Sequence, residues 1–185
     1  MKRLFIAIDL PFEIKKKIDE CKKTLEVNIK HGVKWVELEN YHFTIKFLGE
    51  TQEEKIESIS KIIEEISSEF KPFYISFKEL GVFPNFKNPR VIWIGIDEGL
   101  DEMQNIFNTL EKRITKLGFP KDEKEFSPHL TLGRVKERLK WKEDWKIDIP
   151  EIRFLAIELT LFESQLSSQG PTYIPLYRSK FKKNG

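Results

Sequence analysis

Strands and helices alternate along this sequence in a pattern that occurs twice, which predicts a fold of mixed strand and helix content in two similar halves. The first occurrence opens with Arg3-Leu-Phe-Ile-Ala-Ile-Asp9, a β-rich run that ends in an acid. The second opens with Arg90-Val-Ile-Trp-Ile-Gly-Ile-Asp97, again β-rich and again ending in an acid. A helical stretch follows each. Pro11 opens one that runs to about Lys30, and another runs from about Leu100 to Leu117, closed by Gly118 and Pro120. Each helix leads to a strand that carries His-x-Thr, at His42-Phe43-Thr44 and at His129-Leu130-Thr131. His42 stands 33 positions after Asp9, and His129 stands 32 after Asp97.

The other elements differ between the halves. Val33 to Glu37 is a short strand ahead of the first motif. A helix at about Gln52 to Phe70 and a strand at Phe73 to Glu79 follow it. The second half adds strands at about Ile152 to Glu163 and Tyr173 to Phe181. Phe83-Pro-Asn-Phe-Lys-Asn-Pro-Arg90 is rich in turn formers and reads as the connector between lobes. A duplicated unit commonly packs about a pseudo-two-fold axis. That arrangement would bring His42 and His129 into one central groove from opposite sides.

Composition narrows the class. The 185 residues, 39% apolar and 12% aromatic, suffice for one domain with a full core or for two small fused lobes. No apolar run approaches the roughly 20 residues of a membrane helix. The run Leu4 to Ile8 stops at Asp9, short of a signal peptide, so the expected location is the cytoplasm. Cys21 is the only cysteine, which fits a reducing compartment. The net charge of +2 announces no strong field for nucleic acid. Lys15 to Lys17, Lys22-Lys23 and the tail Arg178 to Lys183 are local basic clusters that solvated surfaces also carry.

Side chains at i and i+2 of a strand share a face, so His42 points with Thr44 and His129 with Thr131. Each pair offers one group that moves a proton near neutral pH and one hydroxyl donor. Phosphodiester hydrolysis needs two such sets: one imidazole takes a proton from water, the other gives one to the departing oxygen. The hydroxyls donate to the non-bridging oxygens, where charge sits in the transition state. A lone strand histidine is usually structural. Here two of three histidines share one motif at one offset in a repeated unit. Zinc is the chemical rival, and it wants about three protein ligands. His31 and Cys21 match neither repeat, no His-x-His occurs, and Glu39-x-x-His42 would align ligands only on a helix. His31, between Lys30 and Gly32, reads as a helix end. No metal and no cofactor is expected.

At His42-Phe-Thr-Ile-Lys-Phe-Leu-Gly49 and Ser127-Pro-His-Leu-Thr-Leu-Gly-Arg134 the chain resembles the two-histidine phosphoesterase superfamily, and within it the RNA 2′,3′-cyclic phosphodiesterases, also called 2′-5′ RNA ligases. The resemblance covers nearly the whole chain, residues 1–185 as one phosphoesterase domain of two repeat lobes. It implies a bilobal α+β fold, with antiparallel β-sheets and flanking helices around a central cleft. It implies His42 as proton donor, His129 as proton acceptor, and Thr44 and Thr131 as phosphate-binding residues. Arg134 matches a phosphate-proximal position, although strand parity turns it away from His129 unless a bulge opens at Gly133. Lys46 has the parity of His42 and Thr44, but no family role follows for it.

The implied reaction opens a terminal 2′,3′-cyclic phosphate to a 2′-phosphomonoester, with reversible 2′-5′ joining beside it. The implied partner is RNA with such an end, tRNA-derived ends among them, and the chain is expected to act as a monomer away from membranes. No P-loop motif occurs, so any joining would draw its energy from the cyclic phosphate. Three rivals stay open: a true ligase, a non-catalytic RNA-end-binding module, and a phosphodiesterase for a small cyclic nucleotide.

Overall fold

The computed structural model describes residues 1–184. In chain order the elements are β1 (Lys2–Asp9), α1 (Phe12–Asn28), β2 (Val33–Trp35), β3 (His42–Thr51), α2 (Ile56–Glu69) and β4 (Phe73–Phe83). They continue with β5 (Val91–Ile96), α3 (Leu100–Ile114), β6 (Leu130–Val135), β7 (Arg153–Ala156), β8 (Glu158–Ser167) and β9 (Gly170–Lys180). The strands form two sheets, ordered β3-β1-β8-β9 and β2-β6-β5-β4-β7. Every pairing is antiparallel, as an α+β fold requires.

The helices start and stop where local chemistry says they should. Pro11, at φ −58°, precedes α1, and Glu13 lies in its first turn. Asp101 and Glu102 open α3, and Lys112 and Arg113 close it, each complementing the helix dipole. Gly118, at φ +93°, ends the extra turn that follows α3, in a conformation that a Cβ disfavours. Helix α1 stops at Asn28, so His31 lies in the turn beyond it rather than in its last turn.

The repeat is present as two strand–helix–strand units, β1-α1-β3 and β5-α3-β6. Their strands pair antiparallel, β1 with β3 and β5 with β6. The halves of the chain, however, are not the halves of the molecule. β2 and β4 leave the first half to flank β6 and β5, while β8 and β9 return from the second half to flank β1. Residues 84–90 therefore close a β4–β5 hairpin within one sheet, with Arg90 N–H donating to Phe83 O, and do not connect two lobes. The run read as one strand at 152–163 is two strands in different sheets, broken at Ile157, which is 46% exposed.

One continuous core joins both sheets to all three helices. It includes Leu4, Ile6 and Ile8 of β1, Ile18 of α1, Ile63 of α2, Leu110 of α3, Ile94 of β5 and Leu132 of β6. A small second cluster of Phe5, Ala7 and Phe162, with Tyr173 against it, covers the other face of β1. That face carries the site.

Both motif strands are bulged at the same place. Ala7 pairs with Thr44 and Ile6 with Lys46, which leaves Ile45 without a partner. Trp93 pairs with Thr131 and Ile92 with Gly133, which leaves Leu132 without one. A bulge places two successive side chains on one side and reverses parity beyond it. Lys46 accordingly faces the core, 2% exposed, instead of pointing with His42 and Thr44. Its ammonium meets Glu111 Oε1 at 2.7 Å and Asp122 Oδ1 at 2.8 Å, and donates to Pro120 O at 2.9 Å. Asp122 N–H donates to the other oxygen of Glu111. These bonds tie α3 and the irregular segment after Gly118 to the strand that bears His42.

Removing one partner from a buried ion pair strands the other, at a cost of about 3–5 kcal/mol. Lys46→Met should lower unfolding free energy by about that much at pH 7. Chemical denaturation checks this, and a loss within error of zero would show that the cluster is only solvated surface.

Candidate active site

His42 opens β3 and His129 stands one residue before β6. Both imidazoles are held in the same way. His42 Nδ1–H donates to Asn40 O at 2.7 Å, and His129 Nδ1–H donates to Ser127 O at 2.8 Å. A carbonyl oxygen can only accept, so each neutral ring carries its hydrogen on Nδ1 and leaves a lone pair on Nε2. Thr44 lies on the face of His42, and its hydroxyl donates to His42 Nε2 at 2.8 Å. Thr131 has the matching position on β6.

Each ring also rests against aromatics of its own sheet. Phe5 lies 4.9 Å from the His42 ring and Tyr173 meets it edge-on at 5.1 Å. Phe83 meets His129 edge-on at 5.0 Å, with Trp93 at 6.3 Å. Neither pair of supports belongs to the motifs. Both could have been found in sequence only by noticing that Phe5 and Trp93 hold the same strand position relative to Asp9 and Asp97.

Arg134 is brought into the site by the bulge at Leu132. The extra residue turns Leu132 and Gly133 inward and returns Arg134, which is exposed, to the face of Thr131. Parity would have excluded it; the bulge falls one residue before Gly133. The glycine has a separate reason to be there, since a Cβ would come within 2.8 Å of Val33 and 2.9 Å of the Trp35 ring on β2. On β3 the corresponding position is Phe47, which the Ile45 bulge turns to the face of Phe5, 5.9 Å away, and which is 63% exposed. The two repeats thus place a guanidinium and an aromatic ring at the same step beyond their threonines.

The charge of Arg134 bears on both imidazoles, so the three groups lie within electrostatic reach of one another. Burial pushes the His42 imidazole down to about 4. The Asn40 carbonyl and the Asp9 carboxylate pull it back up, while Lys15 and Arg134 push it further down. Burial also lowers His129, against the Ser127 carbonyl and with Arg134 adding repulsion. Both rings therefore favour the neutral form more than an ordinary histidine does, and each would hold a proton more readily beside an anion. Among the described residues no group of three His, Cys, Asp or Glu side chains could hold a metal ion. The candidate site gathers two imidazoles, two hydroxyls and one guanidinium.

Known proteins carry the same architecture. The RNA 2′,3′-cyclic phosphodiesterase of Methanocaldococcus jannaschii is 39% identical over 176 residues, covering 92% of this chain and 96% of that protein. That of Archaeoglobus fulgidus is 40% identical over 174 residues, covering 92% and 96%. TT0787 of Thermus thermophilus superposes with a TM-score of 0.84 at 25% identity, over 99% of this chain and 100% of its own. E. coli LigT complexed with 3′-AMP superposes with a TM-score of 0.75 at 25% identity, over 98% and 99%. The family model of the LigT-like phosphoesterases matches residues 8–93 and 94–173. With two bulged His-x-Thr strands around one cleft, this chain belongs to the LigT-like phosphoesterase family.

Proposed function

We propose that the protein hydrolyses the 2′,3′-cyclic phosphate at RNA ends to a 2′-phosphomonoester, by acid–base catalysis between His42 and His129 and without a metal ion. The observation that carries this reading is the matched pair of imidazoles, each with Nδ1–H held by the carbonyl two residues earlier, which makes Nε2 the proton-transfer atom, shared in His42 with the Thr44 hydroxyl. Relatives that share 39% and 40% of their residues with this chain are RNA 2′,3′-cyclic phosphodiesterases, and that supports the substrate.

The cyclic phosphate sits between the two rings, and its negative charge raises both imidazole pKa values from their depressed free-state positions. Water attacks phosphorus as His129 Nε2 takes its proton. The P–O3′ bond breaks in line with the attack, and His42 Nε2–H gives its proton to O3′. Thr44, Thr131 and Arg134 donate to the non-bridging oxygens. The exposed ring of Phe47 supports this division of labour. A base stacked there keeps the ribose, and so the leaving O3′, on the His42 side of the cleft, and leaves the His129 side for water. If an RNA 5′-hydroxyl takes the place of water, the same transfers join two ends through a 2′-5′ bond. The two repeats act as one catalytic unit, a monomer, in the cytoplasm, and ends of tRNA-derived fragments are within its substrate range.

His42→Ala and His129→Ala should each lower kcat by about 10²–10⁴-fold with the fold intact, read by steady-state kinetics and circular dichroism. Near-normal turnover in either variant would end the two-histidine mechanism. Thr44→Val and Thr131→Val keep the branched shape but lose a donor to a charged oxygen, so kcat/KM should drop about 10–150-fold. Unchanged valine variants would mean that the hydroxyls do not touch the phosphate.

The pH profile follows from the depressed imidazoles. The general acid must be protonated, and burial makes its proton leave below the ordinary value of 6.5. The bell in kcat/KM, which reports the free protein, should therefore lie below that of ordinary histidines. The bell in kcat should be displaced upward, because bound phosphate favours the protonated rings. Both profiles should persist in EDTA. Activity lost to the chelator and restored by Zn²⁺ or Mn²⁺ would replace this mechanism with a metal-bound nucleophile.

A further inference from the structure

Two segments outside the catalytic residues carry an excess of positive charge, as does the tail Arg178 to Lys183. Residues 84–90 and 136–146 together carry seven lysines and arginines against three carboxylates, a net of four positive charges on a chain whose total is +2. All seven cations are exposed, and among the described residues only Lys146 has a carboxylate partner, the exposed Glu143. Aromatic rings are interleaved with them. Phe86, at the tip of the β4–β5 hairpin and 41% exposed, packs edge-on against Trp141 at 5.3 Å. Trp141 meets the buried Trp145 at 5.5 Å, which anchors the group to the main core. The ammonium of Lys146 lies over the Phe86 ring and that of Lys142 over Trp145.

This surface begins where the cleft ends. Val135, the residue after Arg134, donates its N–H to Arg90 O, which closes the basic hairpin onto the end of β6. Lys34, opposite Arg134 on β2, lies against Gly170, and the neighbouring Pro171 O accepts from Asn40 just ahead of His42. Arg134 therefore lies beside the start of β3. Phe47 lies five residues further along that strand, about 16 Å away at strand spacing.

We propose that residues 84–90 and 136–146 form a single-stranded RNA track that holds the nucleotides upstream of the cyclic end. The proposal rests on the catalytic reading above and extends it from the end group to the chain behind it. In the terminal nucleotide, C1′ carries the base and C4′ carries the 5′ chain, and these two carbons flank the C2′–C3′ edge that bears the cyclic phosphate. A base laid toward Phe47 sends the 5′ chain the opposite way, past Arg134 and onto the hairpin. There Phe86 offers a face for stacking, and Lys87, Lys142 and Lys146 meet backbone phosphates. Aromatic faces set among cations bind single strands without regard to sequence.

The test compares adenosine 2′,3′-cyclic phosphate with a single-stranded octanucleotide that ends in the same group. Wild type and the triple variant Phe86→Ala/Lys142→Gln/Lys146→Gln are assayed over a range of salt concentrations. Wild type should show a lower KM for the octanucleotide than for the nucleoside. The substitutions should raise the octanucleotide KM about tenfold or more, the scale of losing one stacking ring, with kcat and the nucleoside kinetics unchanged. The dependence of log KM on log salt should become shallower by about 1.4 for two lost phosphate contacts. An octanucleotide KM that the substitutions leave in place overturns the proposal and assigns this surface to another class of partner, such as a protein. Equal losses on both substrates overturn it by showing damage to the cleft, and so does a wild type that does not favour the octanucleotide. A wild type that opens neither substrate defeats the catalytic reading, and this one with it.

Discussion

At Ile45 in β3 and at Leu132 in β6, one extra residue is fitted against the neighbouring strand, and the two side chains that follow change face. What lines the cleft, and what braces it, depends on these two insertions. Without the first, Lys46 would point with His42 and Thr44 and Phe47 into the core. Without the second, Arg134 would point away from His129. The insertions fall at the same distance from the two histidines, so they belong to the repeated unit. The side chains they turn into the cleft do not repeat: one repeat contributes Phe47 and the other Arg134. A symmetric scaffold thereby becomes a cleft with an apolar end and a cationic end, which suits an asymmetric ligand.

Each imidazole is held from behind by a carbonyl and from the side by aromatics, and burial favours its neutral form. Near neutral pH such a ring gains a proton more readily when an anion offsets the desolvation. Arg134 has a part in both states. Its charge lowers both rings in the absence of a ligand, and a bound phosphate would neutralise that charge.

The two sheets are held in register by strands that change sides. β2 and β4 come from the first repeat to flank the second, and β8 and β9 make the return exchange. A hinge between lobes would break a continuous core, so the two strands that bear the histidines are held by shared packing. The Lys46 cluster adds a specific tie, because Asp122 and Pro120 lie on the irregular segment that leads to His129. That segment has no strand or helix of its own to orient it. Its placement rests on the ammonium of Lys46 at one end and on Phe126, stacked on Phe107 at 4.6 Å, near the other.

By itself the sequence determined the elements of the repeat and the residues of the two motifs. Strand and helix periods, Pro11, Gly118 and the acidic and basic helix ends are local chemistry, and local chemistry is legible along a chain. His-x-Thr carries its own geometry, since alternation fixes a shared face over two residues. The partnership of strands was not legible in the same way. Nothing local distinguishes a hairpin at 84–90 from a link between lobes, or one strand at 152–163 from two in different sheets, because pairing is decided by contacts far apart in the chain. The facing of Lys46, Phe47 and Arg134 was decided by tertiary structure for the same reason: a bulge is a mismatch between two strands, and neither strand states it alone.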